Sequence, residues 1–514
     1  MIDGGSRERA LDELTSAVER TRPRLIDSWE TAALIESLGY TDARIRREFG
    51  FSDTAALGAH VFDTLGRKPV TPAPLASTSA PPDRRPLLEL ANSIGASLVY
   101  ALPWLITFIA ERLRPDAMRL PGSAGPPLSL ALMLSLIVSG GVIQAISRRG
   151  QFYIGFRQPG LAALVTGYLL RLGAMVAVAA AAVGLFTGWY FNLFAWPYLV
   201  LWADEFLLLC ALWMMCGVLA IREEYWRVPL AFALGGLSFV AVHASGGDAL
   251  LAQMIGAAAA VLAAAIQVPR VFVHTGFEEQ PSMVPLPRMT VLLYRILPFF
   301  WYGTLYFCFL FADRFAASAS VSALTGAPFG LRPQYKLGMD LALLTFLFAS
   351  AAVEYGNIRF THRLRWAMRE PFERDGAFER RVIRIHLRVL GLVIGGFIPL
   401  SAIIGALARR LLPGQPETVW TTLAIGDVGY LLLAVGLANA LALFSLNRPW
   451  SAVRALTAGL AVNVTVGYVL SHMVSPYFAA AGLVAGAFVL ALQSAVAVRR
   501  TIRHAGDHAV SSAV

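Results

Sequence analysis

The chain has 514 residues, of which 57% are hydrophobic and only 15% are charged, and its formal net charge is +10. A soluble domain of average composition carries about 25% charged residues, so this composition excludes an ordinary soluble enzyme. The excess arginine lies in short stretches between long apolar blocks, where basic residues set membrane topology. No stripe of basic and aromatic residues indicates a nucleic-acid interface, and we expect no nucleic-acid partner.

The N-terminal part differs from the rest of the chain. Residues 1–65 are charged, and their apolar residues recur every three or four positions, which predicts two or three short helices in a small cytoplasmic segment. Residues 66–86 are rich in Pro, Ala and Ser without an apolar period, which is typical of a flexible linker. No signal-peptide pattern opens the sequence.

From residue 87 onward the pattern predicts an all-α integral membrane protein. Its apolar blocks of about 17 to 30 residues are long enough to cross a hydrocarbon core of about 30 Å as helices. Helices are expected because lipid offers no partner for unpaired backbone groups. The twelve expected spans are 87–110, 128–147, 159–186, 190–219, 227–243, 248–270, 290–312, 337–356, 387–408, 418–445, 453–473 and 476–498.

The distribution of arginine predicts the orientation. If the N-terminus is cytoplasmic, the inner loops hold about twice as many Arg and Lys residues as the outer loops, as the positive-inside rule requires. Both termini, including the tail 501–514, are then cytoplasmic. Lys is rare beside Arg and Ala is very common, which is typical of a GC-rich bacterial genome. We therefore expect a multi-pass protein of a bacterial cytoplasmic membrane.

Spans one and seven look related. The segment Leu98–Trp104 is similar to Leu293–Phe299, and Pro103 matches Pro298. This spacing divides the membrane part into two six-helix lobes, residues 87–286 and 287–500. Transporters commonly use such repeats to enclose a central site.

Several motifs carry a family resemblance. They are Ala101-Leu-Pro-Trp104, the pair Asp313-Arg314 and the segment Gln334–Leu344, followed by a long basic stretch. With these the membrane part resembles the Pel-type exopolysaccharide transporters of the multidrug/oligosaccharidyl-lipid/polysaccharide (MOP) flippase superfamily. The family usually has Ser-Gly-Pro-Trp at the first motif, and a basic and an aromatic residue often follow its aspartate. The resemblance implies two pseudo-symmetric lobes that move a polysaccharide outward by alternating access.

Ionisable residues within the spans are the first candidates for the transport path, because each costs about 2.5–3.5 kcal/mol at the centre of a bilayer. Arg171 lies near the middle of the third span, and Asp204 and Glu205 lie near the middle of the fourth. A very short turn joins these spans, which predicts a buried Arg–carboxylate pair with one acid left over. The pair is either a site for a sugar, a phosphate or a coupling cation, or a structural ion pair.

The second half holds further candidates. Asp340 and Glu354 are fourteen residues apart, so they share one helix face about 21 Å apart along the axis. They either line a polysaccharide path or reach water at the interface, and Asp427 in span ten is open to the same two interpretations. Arg295 is a path residue or a snorkelling side chain near the start of span seven. Asp313 is carried over from the family motif, although an acid at a helix exit can also serve as a cap.

Aromatic residues flank the two matching prolines and could stack on sugar rings, or belong to the aromatic belt of the membrane interface. They are Trp104, Phe299, Trp301 and Tyr302. The basic segment 357–386 interleaves Phe360, Leu364, Met368, Phe372 and Phe378 with arginines. We expect it to lie along the inner membrane surface, with docking of a cytoplasmic synthase as the alternative.

The chain has no motif for covalent chemistry. It contains no P-loop, no His-Glu-x-x-His and no Cys/His cluster, and we expect no catalytic residue, cofactor or metal. The three cysteines lie inside apolar blocks and are expected to be small core residues.

The leading hypothesis is export of a polysaccharide or its precursor, such as a lipid-linked sugar, across the cytoplasmic membrane. A glycosyltransferase or other synthesis component and the lipid bilayer are the expected partners. One alternative is a membrane glycosyltransferase or polymerase with a loop acid such as Asp116. The other is a non-transporting scaffold of a polysaccharide-synthesis complex.

Overall fold

The computed structural model describes residues 4–21, 28–38, 40–67, 124–155, 158–222, 227–273, 289–325, 329–367 and 377–503. Helices are the only regular elements in these ranges. The chain divides into two compact units, Met1–Arg84 and Arg85–Val514. The first predicted span, with Trp104, lies outside the described residues, as do nearly all of the predicted linker and tail.

The N-terminal unit contains four short helices rather than two or three. They are α1 (Gly4–Thr21), α2 (Ser28–Ser37), α3 (Asp42–Glu48) and α4 (Thr54–Arg67). Their apolar faces meet in one small core, whose buried residues are Leu14, Val18, Ile35, Ile45, Phe49, Leu57 and Val61. Helices α2 and α4 pack closely. A Cβ atom on Gly58 would lie only 2.8 Å from the backbone nitrogen of Ala32.

A carboxylate ties α3 to α4 in this unit. The backbone amide of Thr54 donates a 2.8 Å hydrogen bond to Oδ1 of Asp42, and the Thr54 hydroxyl donates to the same oxygen. These two bonds, the hydroxyl first, hold the pKa of Asp42 below its usual value of 3.8. Because the folded pKa is depressed, the stabilisation is present above the unfolded pKa and is lost as the pH falls through the folded pKa.

We expect Asp42→Asn to loosen the α3–α4 junction at neutral pH and to have little further effect in acid. The amide keeps the acceptor oxygen but loses the charge that strengthens both bonds. Hydrogen exchange of residues 42–58 in the full chain should be faster in the variant at pH 7. The two proteins should exchange alike at a pH well below 3.8; a difference that persists there contradicts the assignment.

Eleven of the described helices are long and apolar enough to cross a membrane, and they match the second to twelfth predicted spans. These eleven helices and the short helix α10, which lies between the fifth and the sixth of them, have the following bounds: α5 (Gly125–Gly155), α6 (Pro159–Tyr190), α7 (Trp196–Leu219), α8 (Arg227–Ala244), α9 (Ala249–Gln267), α10 (Arg270–Val273), α11 (Met289–Thr325), α12 (Pro333–Ala367), α13 (Ala377–Leu411), α14 (Glu417–Ser445), α15 (Pro449–Met473) and α16 (Ala479–Arg503).

Helix α11 corrects the predicted end of span seven. It continues through Asp313 and Arg314 to Thr325, thirteen residues beyond the expected end at residue 312. The sequence pattern ends a span at its first charges, but here both charged side chains are buried among neighbouring helices. The expectation that Asp313 lies at a helix exit is therefore wrong.

The basic segment 357–386 does not form a separate surface helix over its described part. Helix α12 runs on to Ala367 and α13 already begins at Ala377. Phe360 and Leu364 are buried in a core that also contains Val382 and Ile385 of α13. Phe360 and Leu364 therefore serve the pairing of two extended helices, whereas the side chain of Phe378 is not described. Met368 and Phe372 lie outside the described residues.

The membrane unit contains two hydrophobic cores. One is built from α5 to α10 and the first turns of α11, and we call it the first core. The other is built mainly from α11 to α16, and we call it the second core. Their helices meet along α5 and α11, where glycines allow the two backbones to touch. A Cβ atom on Gly140 would lie 2.8 Å from the carbonyl oxygen of Gly303, and one on Gly141 would lie 2.6 Å from that of Phe300.

Replacement of a glycine at this crossing by a larger residue should therefore push α5 and α11 apart. A Cβ atom on Gly303 would press on the Gly140 carbonyl and lie 2.7 Å from Cγ of Gln144. We expect Gly303→Ala to destabilise the protein by about 1–3 kcal/mol, the usual cost of overpacking. Thermal unfolding in detergent measures the change.

Gly395→Ala is the matched control, because a Cβ atom at Gly395 meets no atom within 4 Å. Alanine should leave the melting temperature unchanged or raise it, since glycine is the poorer helix former. Equal effects of the two substitutions would mean that the crossing is not close-packed.

Candidate functional site

Three charged residues lie together inside the second core. Asp313, Arg314 and Asp340 are 0%, 3% and 9% exposed. Nη2 of Arg314 donates a hydrogen bond of 3.2 Å to Oδ1 of Asp340, and its Nη1 lies 3.6 Å from Oδ1 of Asp313. We call these three residues, with Tyr335 and Tyr430, the charge cluster.

Two tyrosines complete the charge cluster and link it to a third helix. The Tyr335 hydroxyl donates a hydrogen bond of 2.7 Å to Oδ2 of Asp313. Nη1 of Arg314 donates to the Tyr430 hydroxyl at 3.2 Å. Because these residues lie on α11, α12 and α14, one buried network holds three helices in register.

The charge cluster carries two carboxylates and one guanidinium. Oδ1 of Asp313 has no hydrogen-bond partner among the residues that the structure describes, and Lys336, one turn before Asp340, is exposed at the edge. Two acids and one buried base leave one negative charge when both acids are ionised. A buried charge without a full partner is costly. The arrangement can therefore accept one proton or one monovalent cation.

Asp427 and Glu354 lie on the helices that also carry the charge cluster. Asp427 on α14 is buried, and the Ser401 hydroxyl of α13 donates to its Oδ2. Glu354 is half-buried on α12. Because α12 is continuous from Pro333 to Ala367, Asp340 and Glu354 lie on one unbroken helix as expected.

A second acidic group lies in the first core. Glu205 on α7 is 4% exposed, and Nε2 of Gln253 on α9 donates to its Oε1 at 3.2 Å. Among the described residues, Oε2 of Glu205 and Oδ2 of the neighbouring Asp204 are buried without a hydrogen-bond partner. Glu205 is therefore held by an amide of the described chain rather than by a cation.

The predicted pairing of Arg171 with these acids is wrong. Arg171 is exposed, and no ion pair joins it to Asp204 or Glu205 in the described part of the chain. The reason is helix geometry, since the buried face of α6 includes Leu169 and Gly173. Arg171 lies two residues from each, about 200° around the helix, and so points away from that face.

The aromatic candidates are divided between packing and exposed positions. Tyr302 is 3% exposed and packs against Phe444 at a ring distance of 4.9 Å, so it offers no open ring face to a sugar. Phe299 also contacts Phe444, and the Arg148 guanidinium lies 5.1 Å from its ring centre. Trp301 is 44% exposed on the same helix face as the exposed Tyr294, which suits a belt residue.

The remaining polar groups add no metal site. No group of three or more His, Cys, Asp or Glu residues that could hold a metal occurs in the described ranges. Cys210 and Cys216 are buried free thiols, as expected of core residues. Arg295 is exposed near the start of α11.

These features define a polytopic helical membrane protein with two cores and buried charge in each. No protein-family model matches the sequence, and no curated protein matches it. Solved structures do match its fold. One is a multidrug resistance MATE family transporter of the MOP superfamily in an outward-facing conformation. It is 13% identical with a TM-score of 0.58, and the match covers 81% of this chain and 96% of that one.

Two further solved structures match in the same way. A MATE transporter in a bent conformation is 14% identical with a TM-score of 0.58, covering 83% of this chain and 97% of that one. A MOP superfamily transporter from Pyrococcus furiosus is 15% identical with a TM-score of 0.55, covering 82% and 96%. The membrane unit therefore has the fold of these transporters. None of these matches indicates a Pel-type exopolysaccharide transporter.

Sequence reasoning missed four members of these groups, namely Arg314, Tyr335, Tyr430 and Gln253. Arg314 and Tyr335 belong to the motifs of the family resemblance, but neither is a site candidate by itself, because a charge commonly marks the end of a span. Tyr430 and Gln253 gave no signal, since neither belongs to a charge pattern. The signal that could have located the charge cluster is the presence of two acids, Asp313 and Asp340, in adjacent apolar blocks, with Arg314 directly beside the first.

We expect Arg314→Gln to be strongly destabilising. Removal of the guanidinium leaves Asp313 and Asp340 facing each other in the core, which typically costs about 3–5 kcal/mol. Adding Asp340→Asn to this variant should recover part of the loss, because one of the two charges is then removed. Thermal unfolding of the purified protein measures both effects.

Arg410→Gln serves as the control, since Arg410 is exposed near the end of α13. It should unfold at the wild-type temperature. The electrostatic account of the charge cluster is wrong if Arg314→Gln also unfolds at the wild-type temperature. It is wrong as well if adding Asp340→Asn to Arg314→Gln lowers the stability further.

Proposed function

We propose that this chain is a secondary transporter that exports a polysaccharide or its precursor across a bacterial cytoplasmic membrane by alternating access, with both termini inside. The observation that carries the proposal is buried, incompletely compensated charge in both cores. The shared fold with MATE and MOP transporters supports transport as the activity. The proposal includes no covalent chemistry.

Incomplete charge compensation favours a transporter over an inert membrane anchor. Within the described part of the chain, Oδ1 of Asp313 and Oε2 of Glu205 are buried without hydrogen-bond partners, although ionisable groups within a membrane are expensive to keep. A scaffold would gain stability if these acids were replaced by apolar residues. A transporter needs them, because a proton or cation that binds in one state and leaves in the other can bias the two states.

The contact between the two cores is where relative movement is expected. At the crossing of α5 and α11 the backbones touch at Gly140, Gly141 and Gly303, and the side chains of Phe300, Thr304 and Phe307 lie against the glycines of α5. This crossing is the contact that joins the helices of the two cores. We propose that this crossing is where the two halves rock.

The substrate class rests on the family resemblance. Two of its motifs, Asp313-Arg314 and Gln334–Leu344, lie on the successive helices α11 and α12 and meet in the charge cluster, through Tyr335 and Asp340. Motif residues that come together around one buried network are expected when the motifs serve a common task. Their meeting supports the polysaccharide assignment.

Deletion of the gene, followed by analysis of polysaccharide on the surface and inside the cell, tests the proposal. Loss of surface polymer with accumulation of the polymer or its precursor inside supports an exporter. Loss of all polymer without accumulation indicates a glycosyltransferase or polymerase instead. Unchanged surface polymer contradicts the proposal.

Complementation then tests the buried acids. Glu205→Gln and Asp340→Asn should fail to restore export although the proteins are made and inserted, because neither can exchange a proton or cation. Arg171→Ala is the matched control and should restore export, since Arg171 points away from the acids. Full export by both acid variants would favour the scaffold.

A further inference from the structure

A buried histidine that the proposed function does not use links three helices of the second core. His386 on α13 is 7% exposed, and its Nε2 lies 2.9 Å from Oδ1 of Asn439 on α14. Nδ2 of Asn439 reaches α16, where it donates to the Ala491 carbonyl oxygen at 3.2 Å and to Oγ of Ser494 at 3.1 Å. Asn439 and Ser494 are both fully buried. We call His386, Asn439 and Ser494 the polar link.

The hydrogen bonds of the polar link determine which ring nitrogen of His386 carries the hydrogen. The Ala491 carbonyl can only accept, so the NH₂ group of Asn439 must face it. The Ser494 hydroxyl donates to the Leu490 carbonyl oxygen at 2.6 Å and is therefore an acceptor for the same NH₂ group. Oδ1 of Asn439 is left as an acceptor, so Nε2 of His386 donates to it and Nδ1 carries the lone pair. A proton that His386 takes up binds at Nδ1.

His386 lies near a water interface of the membrane. Arg409 and Arg410, at the far end of α13, are exposed and mark the opposite interface. His386 precedes Arg409 by 23 residues in this continuous helix, which is about 34 Å along its axis. A hydrocarbon core is about 30 Å thick, so the imidazole lies at its border although neighbouring helices cover it. A small separation of these helices is then enough to admit water to the ring.

The groups that contact His386 among the described residues are uncharged. Its ring meets the Phe360 ring of α12 edge-on, with 5.8 Å between the ring centres, and its one hydrogen bond within the described ranges is to Asn439. On α14 no charged residue lies between Asp427 and the end of the helix at Ser445. Burial of an imidazolium among uncharged groups is costly, so this packing favours the neutral ring.

The charged side chains of the packed helices at this end lie on other faces or are paired. They include Glu354 and Arg359 of α12, Glu379, Arg384 and Arg388 of α13, and Arg503 of α16. Arg503 pairs with Glu379 at 3.7 Å, about 10 Å along α13 from His386. Glu354 lies about 120° around α12 from Phe360. The two exposed arginines nearest in sequence to His386 lie about 200° around α13 from it. Arginines outnumber acids in this set, so a further positive charge at His386 is disfavoured.

We propose that His386 is a proton-binding site separate from the charge cluster, and that proton uptake at its Nδ1 releases the start of α13 from α14 and α16. The charged ring is better solvated in water, so protonation favours a state in which this end of the second core has opened. An ordinary histidine takes up a proton at about pH 6.5. Helix α14 joins the two sites, because it carries both Tyr430 of the charge cluster and Asn439. If the proposed function is right, this end faces the cytoplasm, and acid there opens the transporter inward.

The distance between two spin labels on the purified full chain tests the site. The labels are attached at Arg384→Cys on α13 and Arg500→Cys on α16, both exposed positions, in a chain whose native cysteines are replaced by alanine. The distance should be longer at about pH 5.5 than at about pH 8, on either side of the ordinary range of histidine. A distance that does not lengthen in acid overturns the proposal.

Neutral variants show whether His386 is the group that responds. His386→Gln keeps an N–H donor for Asn439 but takes up no proton, and His386→Met is a second neutral variant of similar size. Both should give the shorter distance at either pH, and thermal unfolding at about pH 8 shows which of them keeps the wild-type fold. His362→Gln is the matched control, since His362 is exposed on α12, and it should lengthen as the wild type does.

Two further outcomes overturn the proposal. If a folded neutral variant lengthens in acid as the wild type does, another group takes up the proton. If His362→Gln abolishes the change, the responding group is His362. Because the distance is measured without transport, a protein that opens in acid but does not export contradicts only the proposed function.

Discussion

The second half of the membrane unit depends on one buried guanidinium. Arg314 donates to Asp340 on α12 and to Tyr430 on α14, and it lies beside Asp313 on its own helix. In a region without water each of these groups would be costly alone, and together they offset most of that cost. The helices are thus held at defined positions by charge as well as by packing, and the remaining negative charge is available for a proton or cation.

The two cores use charge differently. The second core pairs its acids with an arginine, whereas among the described residues Glu205 in the first core accepts a hydrogen bond from Gln253. Under the proposed function, unequal compensation would give the halves different responses to the same proton or cation. The two cores join where α5 and α11 approach closely at their glycines.

Sequence periodicity predicted the helices far better than it predicted what they contact. Spans two to twelve all correspond to helices, because a long apolar run in lipid has no other way to satisfy its backbone. Span ends were less accurate. Asp313 and Arg314 were taken as the end of a helix. A charge is tolerated inside a span when it has a partner there, and the sequence does not show which residues are the partners. Phe360 and Leu364 were assigned to lipid for a similar reason, because apolar residues between arginines suit a membrane surface and a helix pair equally well.

The sequence by itself determined the class of protein, the number and order of the described spans and the presence of rare charges within them. These follow from composition and from distances along one helix, which an isolated segment already specifies. Only the tertiary structure decided which charges meet. Arg171 and Glu205 are on adjacent spans and remain apart, whereas Arg314 and Tyr430 are 116 residues apart and form a hydrogen bond. Side-chain partners depend on the rotation of each helix about its axis, and that rotation is set by packing against all its neighbours at once.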